Sequence, residues 1–291
     1  MGLIIRAAKL GMKGVKTVTP IVAIAQEGAG APGDGDLAVA GPDAARVAAV
    51  RELLGGATAS AEAASVLVAL PGDDPAATQD LFARRRTAGL PSIAVLVGAP
   101  AARAAQERAL TRDGRVEVAE VLHVNGLEGE DATAVRRRVV AAFGAEATAL
   151  ARRNAAMRPV VARMIVEEAA RKAAVVGALP LGPADMPVLA LLQVRMVTRL
   201  SAAHDRRLGP ERALEALAVI GAGFGWRTIG RAAARVAPGW AAGGGVAYAG
   251  TRAVGEAALA RLAAGHDPID AGPLDRVRPQ FDRVLARLGR R

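Results

Sequence analysis

Apolar residues in the first half of the chain occur in short continuous runs that are separated by polar segments with helical periodicity. The runs are LAVA (37–40), SVLVAL (65–70), SIAVLV (92–97) and VEVAEVLHV (116–124), and helices are predicted over about 42–54, 75–88 and 101–111 and from about 131. Continuous apolar runs are typical of strands that are buried on both faces of a parallel sheet. Strands that alternate with helices predict a doubly wound, mostly parallel α/β sheet.

The strand pattern stops near residue 145 and helical periodicity follows. We predict helices over about 146–177, 186–207, 210–222 and 226–263, the last of them rich in Gly and Ala. The predicted fold class is therefore an α/β domain followed by an all-α helical bundle. The predicted organisation is a basic amphipathic helix over 1–18, the α/β domain over 19–145, the Gly/Ala-rich helical domain over 146–265, and a linker with a basic C-terminal helix over 266–291.

Composition narrows the chemistry. The 291 residues are 52% hydrophobic but only 2% aromatic, and no cysteine is present. The lack of cysteine excludes disulfides, thiolate metal sites and cysteine nucleophiles, and it fits a reducing cytoplasm. The net charge of +10 suits an anionic partner such as a membrane surface or nucleic acid. An arginine-rich composition without functional meaning is the alternative.

Four basic residues near the start of the chain share one face of a predicted helix. Arg6, Lys9, Lys13 and Lys16 recur at intervals of three and four. Such a helix suits the surface of an anionic membrane or a partner surface, although it would also serve as a terminal helix with a solvated face. The longest uncharged runs in the chain are shorter than the ~20 apolar residues that a spanning helix needs. We therefore expect a cytoplasmic protein, with peripheral or hairpin association with the inner membrane left open.

The segment LAVAGPDAARVAAVRELLGG (37–56) has the strand-glycine-helix order of a phosphate-binding loop. The pattern G-x-x-x-x-G-K-[ST] begins at Gly41, so Arg46 stands at the second glycine, Val47 at the lysine and Ala48 at the hydroxyl residue. Those residue types supply the backbone nest, the phosphate contact and the magnesium ligand. Because all three are replaced, we predict no nucleotide, metal or other cofactor at this degenerate loop.

The residues that follow resemble the later part of an Era-like bacterial GTPase domain. The resemblance rests on VLVALPGDDPAATQDLFARRRTAGLPSIAVLVGAP (66–100) and on HVNGLEGE (123–130). In that family the strand leads to N-K-x-D, whose aspartate selects guanine, but residues 98–101 read Gly-Ala-Pro-Ala here. Asn125 and Gly126 stand at the first two positions of a loop that ordinarily reads S-A-x-x-G, and no strand with D-x-x-G precedes Ser65. The resemblance implies a GTPase-like scaffold without nucleotide contacts, and an unrelated doubly wound domain is the alternative.

Residues 179–259 resemble a bacterial domain of unknown function that often follows Era-like GTPase domains. The matching pieces are P-x-D-x-P over Pro183–Pro187, Gln193, GAGFGWR at 221–227 and VAYAGTRAVGEA at 246–257. The resemblance implies a GTPase-type domain upstream by association. Some members of that family are regarded as inner-membrane proteins, which raises the expectation of membrane contact.

Polar and small residues in the helical half carry their own expectations. Gln193 lies beside an apolar stripe, so we expect it to form a hydrogen bond inside the helical core. Small residues spaced by four, such as Gly239 and Gly243, predict close helix packing, either in a membrane or in a soluble bundle. Four arginines are expected to face water: Arg195, Arg199, Arg206 and Arg207.

Two further kinds of site are weighed and disfavoured. Asp73, Asp74 and Asp80 follow a predicted strand, where a metal would bind, but the sequence GDDP is more typical of a solvated turn and helix cap. The triplets Arg84–Arg86 and Arg136–Arg138 suit nucleic acid only superficially, because three consecutive helical residues point in three directions and aromatic residues for base stacking are scarce. We expect solvated helix faces there.

The preferred function is a non-catalytic interaction or scaffold protein, built on a GTPase-like fold that has lost nucleotide binding. Its partner would be another protein or an anionic membrane surface, and a homo-oligomer stays open. The alternative is a divergent nucleotide-binding protein or GTPase that uses a non-standard site.

Overall fold

The computed structural model describes residues 35–57, 59–179, 185–206 and 239–266. They form two compact units, and the division falls between Arg163 and Met164. The predicted fold class is confirmed, since a four-stranded parallel sheet with helices precedes a helical region. The helices predicted over 1–18 and 210–222 and after 266 lie outside the described residues, and the predicted domain boundaries stay predictions.

The α/β unit contains four parallel strands that lie in sequence order across the sheet. They are β1 (Leu37–Ala40), β2 (Val66–Ala69), β3 (Ser92–Val97) and β4 (Val121–Val124). All four predicted strands are confirmed, but the fourth is shorter than predicted because Val118–Glu120 form a 3₁₀ helix. The Glu120 carboxylate accepts the backbone N–H of Glu117 at 2.7 Å, and this capping interaction favours a helical turn over an extended chain.

Five helices accompany the sheet and lie on both of its faces. They are α1 (Ala44–Leu53), α2 (Ala76–Thr87), α3 (Pro100–Thr111), α4 (Gly129–Phe143) and the short α5 (Ala147–Arg153). Alternate strand residues such as Leu67 and Ala94 pack with Phe82 of α2 and Leu110 of α3. The opposite face is covered by α4, which contacts β2, β3 and β4.

Helix α1 lies on the same face as α4. Arg136 Nε of α4 donates to the backbone oxygen of Leu53 at the end of α1, at 3.1 Å. The helices that follow the neighbouring strands β1 and β2 therefore lie on opposite faces of the sheet. Such a divergence opens a crevice beyond the carboxyl ends of the two strands, which is where ligands bind in doubly wound proteins.

The prediction of a single long helix over 146–177 is wrong, because the helix is interrupted at Asn154. Helix α5 ends at Arg153, and α6 spans Arg158–Ala178. The side-chain oxygen of Asn154 accepts the backbone N–H groups of Ala156 (3.1 Å) and Met157 (3.3 Å). An asparagine that bonds to the backbone in this way replaces helical hydrogen bonds and starts a new helix.

The helical unit is built from the part of α6 that follows Arg163, from α7 (Asp185–Ala203) and from α8 (Gly239–Ala263). The expectation for Gln193 is confirmed, since its Nε2 donates to Thr251 Oγ1 at 3.3 Å and both residues are buried. The expectation for Arg199 is wrong, because its Nη1 pairs with Glu168 Oε2 at 2.8 Å and its side chain is largely buried. Arg195 is exposed as expected, and Arg206 is exposed at its guanidinium, which donates to Gly265 O. Arg207 lies outside the described residues.

Glu168 links two helices of this unit. Its carboxylate accepts Lys172 Nζ at 2.5 Å and Arg199 Nη1 at 2.8 Å. Burial acts to raise the pKa of Glu168, but the hydrogen bonds from Lys172 and Arg199 together lower it more, so that its pKa lies below the ordinary value of 4.5. A carboxyl with a depressed pKa stabilises the folded state above its unfolded pKa.

This pKa shift predicts a pH dependence of stability. The contribution of Glu168 should be complete above about pH 5 and should be lost as the pH falls through its folded-state pKa. Glu168→Gln should therefore lower the free energy of unfolding at pH 7, by less than about 1 kcal/mol because the pair is partly solvated. The same variant should show a flatter loss of stability below pH 5 in acid titrations followed by circular dichroism. A parallel acid profile in both proteins would contradict the assignment.

Candidate functional site: the cleft at the carboxyl edge of the sheet

A cavity of about 420 Å³ lies in the α/β unit where the chain leaves β1 and β2. This is the crevice that the divergence of α1 and α2 produces. Apolar side chains of β3 and of the strand ends lie together with four polar residues in its wall. The lining residues are Pro42, Asp43, Arg46, Leu70, Pro71, Gly72, Asp73, Val95, Val97 and Gln106.

The polar groups of this wall are mostly engaged with the protein itself. Gln106 Nε2 donates to the backbone oxygens of Pro71 (2.8 Å) and Gly72 (3.2 Å), which holds the loop after β2 in place. Asp73 is exposed at the rim. Arg46 Nε pairs with the carboxylate of Asp43 at 3.2 Å. The cleft therefore presents an apolar floor with a mixed and largely self-compensated rim.

Asp43 occupies the position at which a helix N-terminus ordinarily receives an anion. Its Oδ1 accepts the backbone N–H groups of Ala45 (3.0 Å) and Arg46 (3.1 Å) at the start of α1. In a phosphate-binding loop, the phosphate accepts hydrogen bonds from N–H groups at this place and is attracted by the positive end of the helix dipole. In this chain the Asp43 carboxylate, which belongs to the same loop, accepts these two N–H groups and lies at the positive end of the helix dipole.

Gly41 is explained by close packing against the neighbouring strand. A Cβ atom on Gly41 would lie 2.6 Å from the backbone oxygen of Leu70 and 2.9 Å from its Cβ. In the same way, a Cβ atom on Gly72 would lie 2.6 Å from Pro42 Cγ. The two loops that follow β1 and β2 thus touch directly, which requires glycine for steric reasons independent of any ligand.

The structure disperses the four residues of the degenerate loop. Of Gly41, Arg46, Val47 and Ala48, only Arg46 belongs to the cavity wall. Val47 is buried and Ala48 is exposed, so the residue at the lysine position faces the core. The basic residues predicted as a lipid or partner surface lie outside the described residues; they are Arg6, Lys9, Lys13 and Lys16.

The loop at the predicted base-binding position is also bonded internally. The backbone N–H groups of Asn125 and Gly126 donate to Asp131 Oδ2 at 2.9 Å and 3.1 Å. Arg103 Nη2 donates to Asn125 Oδ1 at 2.9 Å. Pro100 lies in the first turn of α3, in the segment that was compared with N-K-x-D in the sequence. A second carboxylate of the chain therefore covers a second set of loop N–H groups.

The acidic residues after β2 are separated in the structure. Asp74 Oδ1 accepts the backbone N–H of Ala76 at 3.0 Å, in a turn at the start of α2. Asp80 forms an ion pair with Arg115. Within the described ranges, no three acidic or histidine side chains come together closely enough to hold a metal ion.

The basic triplets are wrongly predicted as solvated throughout. Arg84 is exposed, but Arg85 is only 2% exposed, and Arg86 Nη2 pairs with Glu120 Oε2 at 2.5 Å. In the second triplet Arg136 binds the end of α1, and Arg138 donates to the backbone oxygen of Ala119. These arginines connect elements of the α/β unit and do not form one continuous cationic surface.

Fold and site define a protein with a parallel α/β unit and a helical unit after it. In the cleft of the α/β unit, the carboxylate of Asp43 accepts backbone N–H groups at the start of α1. Residues 144–266 match the model of a family described as a domain of unknown function, DUF697. The matched range contains α5 to α8. The sequence resemblance to a domain of unknown function is thereby confirmed, over a longer range than predicted. No curated protein and no solved structure matches the chain.

Proposed function

We propose that this protein is a non-catalytic interaction or scaffold protein, in which a GTPase-like α/β unit no longer binds nucleotide. The observation that carries the proposal is the carboxylate of Asp43, which accepts the N–H groups of Ala45 and Arg46 at the start of α1. A phosphate at this position would have to displace a covalently attached anion that already has its hydrogen bonds and its arginine partner.

Electrostatics makes the displacement costly. A nucleotide phosphate brought beside Asp43 would place like charges a few ångströms apart in the cleft, and such pairs are destabilising. No lysine stands in the loop to offset the charge, and Val47 at that position is buried. The loss of affinity is therefore expected to be general for phosphates and not specific to one base.

The arrangement of the sheet supports the resemblance to a GTPase domain from which the D-x-x-G strand is missing. The segment between α1 and β2 contains no strand in its described residues, 54–57 and 59–65. Instead, the backbone N–H of Ala59 donates to Leu37 O at the edge of β1 at 3.3 Å. This fits the missing counterpart of the D-x-x-G strand, which senses the γ-phosphate in the resembled family.

A protein of this fold that does not bind nucleotide would act by binding other molecules at its surface. The partners that we propose are another protein or an anionic membrane surface, in keeping with the net charge of +10. The proposed location is the cytoplasm, at or near the inner membrane. Within the described ranges, no helix is both long enough and apolar enough to cross a bilayer.

Nucleotide titration tests the proposal. The full chain with Mg²⁺ and GTP, GDP or ATP at about 1 mM should unfold at the same temperature as the free protein, because a ligand at 100 times its Kd would stabilise the fold by about 2.7 kcal/mol. The measurement is a thermal unfolding scan followed by isothermal titration calorimetry. A saturable upward shift that disappears in Arg46→Glu would overturn the proposal.

The cavity itself favours a second candidate function, a nucleotide-binding protein with a non-standard site. Its position beyond β1 and β2 is where doubly wound proteins bind ligands, and its volume of about 420 Å³ is in the range of small-molecule pockets. The same titration separates the two functions, since the second candidate requires the saturable shift that the first excludes.

A further inference from the structure

Near one end of the helical unit, each of three helices has an uncharged stretch. Charges are missing from residues 173–178 of α6, 186–194 of α7 and 239–251 of α8. Contacts bring these stretches together: Ala173 packs with Leu189 and Ala247, and Gly177 lies against Gly243. The uncharged end, defined as these three stretches together with Leu179, is thus a continuous feature of the unit. It is produced by the end of α6 and the starts of α7 and α8.

Large apolar side chains are exposed at this uncharged end. Val175 is 64% exposed, Leu179 is 50% exposed and Val188 is 40% exposed. Among the described residues, only Val118 of the α/β unit is a further large hydrophobic residue with comparable exposure. Three such residues at one end of one unit make an apolar patch of the kind that a partner surface covers.

Basic residues mark the boundary of the uncharged end. Toward the rest of the unit, its first charged neighbours are Arg171 and Lys172 on α6, Arg195 on α7 and Arg252 on α8. The hydrogen bond between Gln193 and Thr251 places Arg195 and Arg252 at about the same level along the unit. This group of four side chains is called the basic girdle below.

Acidic residues lie on the far side of the basic girdle. Glu167 and Glu168 precede Arg171 and Lys172 along α6, and Glu256 follows Arg252 along α8. They pair with the girdle from behind, as in the contact of Lys172 Nζ with Glu168 at 2.5 Å. Asp185, whose side chain lies outside the described residues, is the exception at the start of α7. Apart from Asp185, the residues along the unit are therefore first apolar, then basic and then acidic.

The depth of the uncharged end matches a shallow insertion into lipid. On α6 and α7, Leu179 lies seven positions from Lys172 and Val188 lies seven positions from Arg195, which is about 10 Å at a rise of 1.5 Å per residue. The uncharged stretch of α8 is longer, about 20 Å by the same rise, so only part of it would enter the lipid. Interfacial helices bury their apolar surface about 5–10 Å into the boundary between headgroups and acyl chains. A full crossing needs about 30 Å of hydrocarbon.

We propose that the uncharged end of the helical unit inserts into one leaflet of an anionic bilayer, with the basic girdle at the lipid headgroups. Val175, Leu179 and Val188 would enter the lipid, while Arg171, Lys172, Arg195 and Arg252 contact anionic headgroups. A second copy of the chain fits this surface less well, because a symmetric pair would bring two basic girdles together. The inference deepens the proposed function, on which it rests for the anionic membrane as partner, and it holds whether or not the α/β unit binds a nucleotide.

Site-specific fluorescence tests the insertion directly, since the chain has no cysteine of its own. Val175→Cys and Val118→Cys, each in the full chain and each labelled with a polarity-sensitive dye, start from the same exposure of 64%. With phosphatidylglycerol-containing vesicles, the dye at 175 should brighten and shift to the blue, whereas the dye at 118 should not change. Neither dye should respond to pure phosphatidylcholine. An unchanged signal at 175 in protein that floats with anionic vesicles overturns the proposal and assigns membrane contact to another segment.

Substitution of the exposed apolar residues by glutamate gives a second test of the insertion. Val175→Glu together with Leu179→Glu should reduce flotation with anionic vesicles at least about tenfold. The reason is that burial of each apolar side chain in lipid strengthens vesicle binding by a factor of about ten or more. Val118→Glu should leave flotation unchanged, and circular dichroism should show native helix content in all variants. Unchanged flotation of the double variant refutes the proposal. Concentration-dependent self-association without vesicles, lost in the double variant, also refutes it and identifies a second copy as the occupant.

Discussion

Replacement of Arg85 by methionine is expected to lower the free energy of unfolding of the α/β unit by about 3 kcal/mol or more. The guanidinium has five N–H groups, and each has an acceptor. Nε donates to Ser92 Oγ at 3.0 Å. The two terminal nitrogens donate to the backbone oxygens of Ala61, Glu62, Ala64 and Pro91, at 2.8 to 3.3 Å. Methionine would fill the space and leave these acceptors without their donors.

The size of the effect follows from what remains after the substitution. Burial lowers the pKa of Arg85 from its ordinary value, and the charge of Glu62 partly opposes this shift. The buried cation is costly in itself, so its bonds to the carbonyls must offset that cost. Methionine removes the buried charge, but it leaves the backbone oxygen of Ala64 without a hydrogen-bond donor. An unsatisfied buried acceptor costs about 1–3 kcal/mol.

A neighbouring arginine provides the control. Arg84 precedes Arg85 on α2 and is exposed, so Arg84→Met should change stability by no more than about 0.5 kcal/mol. Arg85→Lys should also be destabilising, because an ammonium cannot supply five donors in a planar fork. Urea denaturation followed by circular dichroism measures all three variants, and hydrogen exchange at residues 59–66 should accelerate in Arg85→Met. Equal stability of Arg85→Met and Arg84→Met would refute the role of Arg85.

Arg85 also shows where sequence reasoning stops. The three arginines at 84–86 are identical in type, and a helix points them in three directions. Nothing in the local sequence tells which direction is covered, because the acceptors of Arg85 come mainly from a segment more than 20 residues earlier in the chain. The strands were predictable for the opposite reason: a continuous run of Val, Leu and Ala is buried whatever its neighbours are.

The residue types of the degenerate loop can be read from the sequence, but the contacts that the structure shows there could be predicted less well. The departure of residues 46–48 from the phosphate-binding pattern is visible in the sequence alone. Asp43 directly before a helical run carries the ordinary signal of an N-cap, but that a carboxylate fills the anion position is a matter of geometry. The same holds for Asp131, which reaches the N–H groups of Asn125 and Gly126 only because α4 starts beside that loop. Asn154 carried a capping signal that helical periodicity on both sides concealed.

Two glycine substitutions in the helical unit are expected to have opposite effects. Gly177→Ala should destabilise the unit by about 1–3 kcal/mol, the cost of overpacking a close contact. A Cβ atom there would lie 2.7 Å from the backbone oxygen of Gly243 and 2.6 Å from the Cβ of Ala247. The oxygen belongs to the backbone of α8, so the two helices would have to separate to relieve the clash. Gly245→Ala on α8 meets nothing within 4 Å.

That second substitution should stabilise the unit by about 0.5–1 kcal/mol, because alanine favours a helix interior more than glycine does. The pair thus separates the helix propensity of glycine from its role in close packing, since both changes add the same methyl group to a helix. Thermal unfolding of the two variants beside the wild-type chain measures the signs. If both substitutions stabilised the protein, the contact of α6 with α8 through Gly177 and Gly243 would not exist in solution, and the small residues of α8 would require another partner.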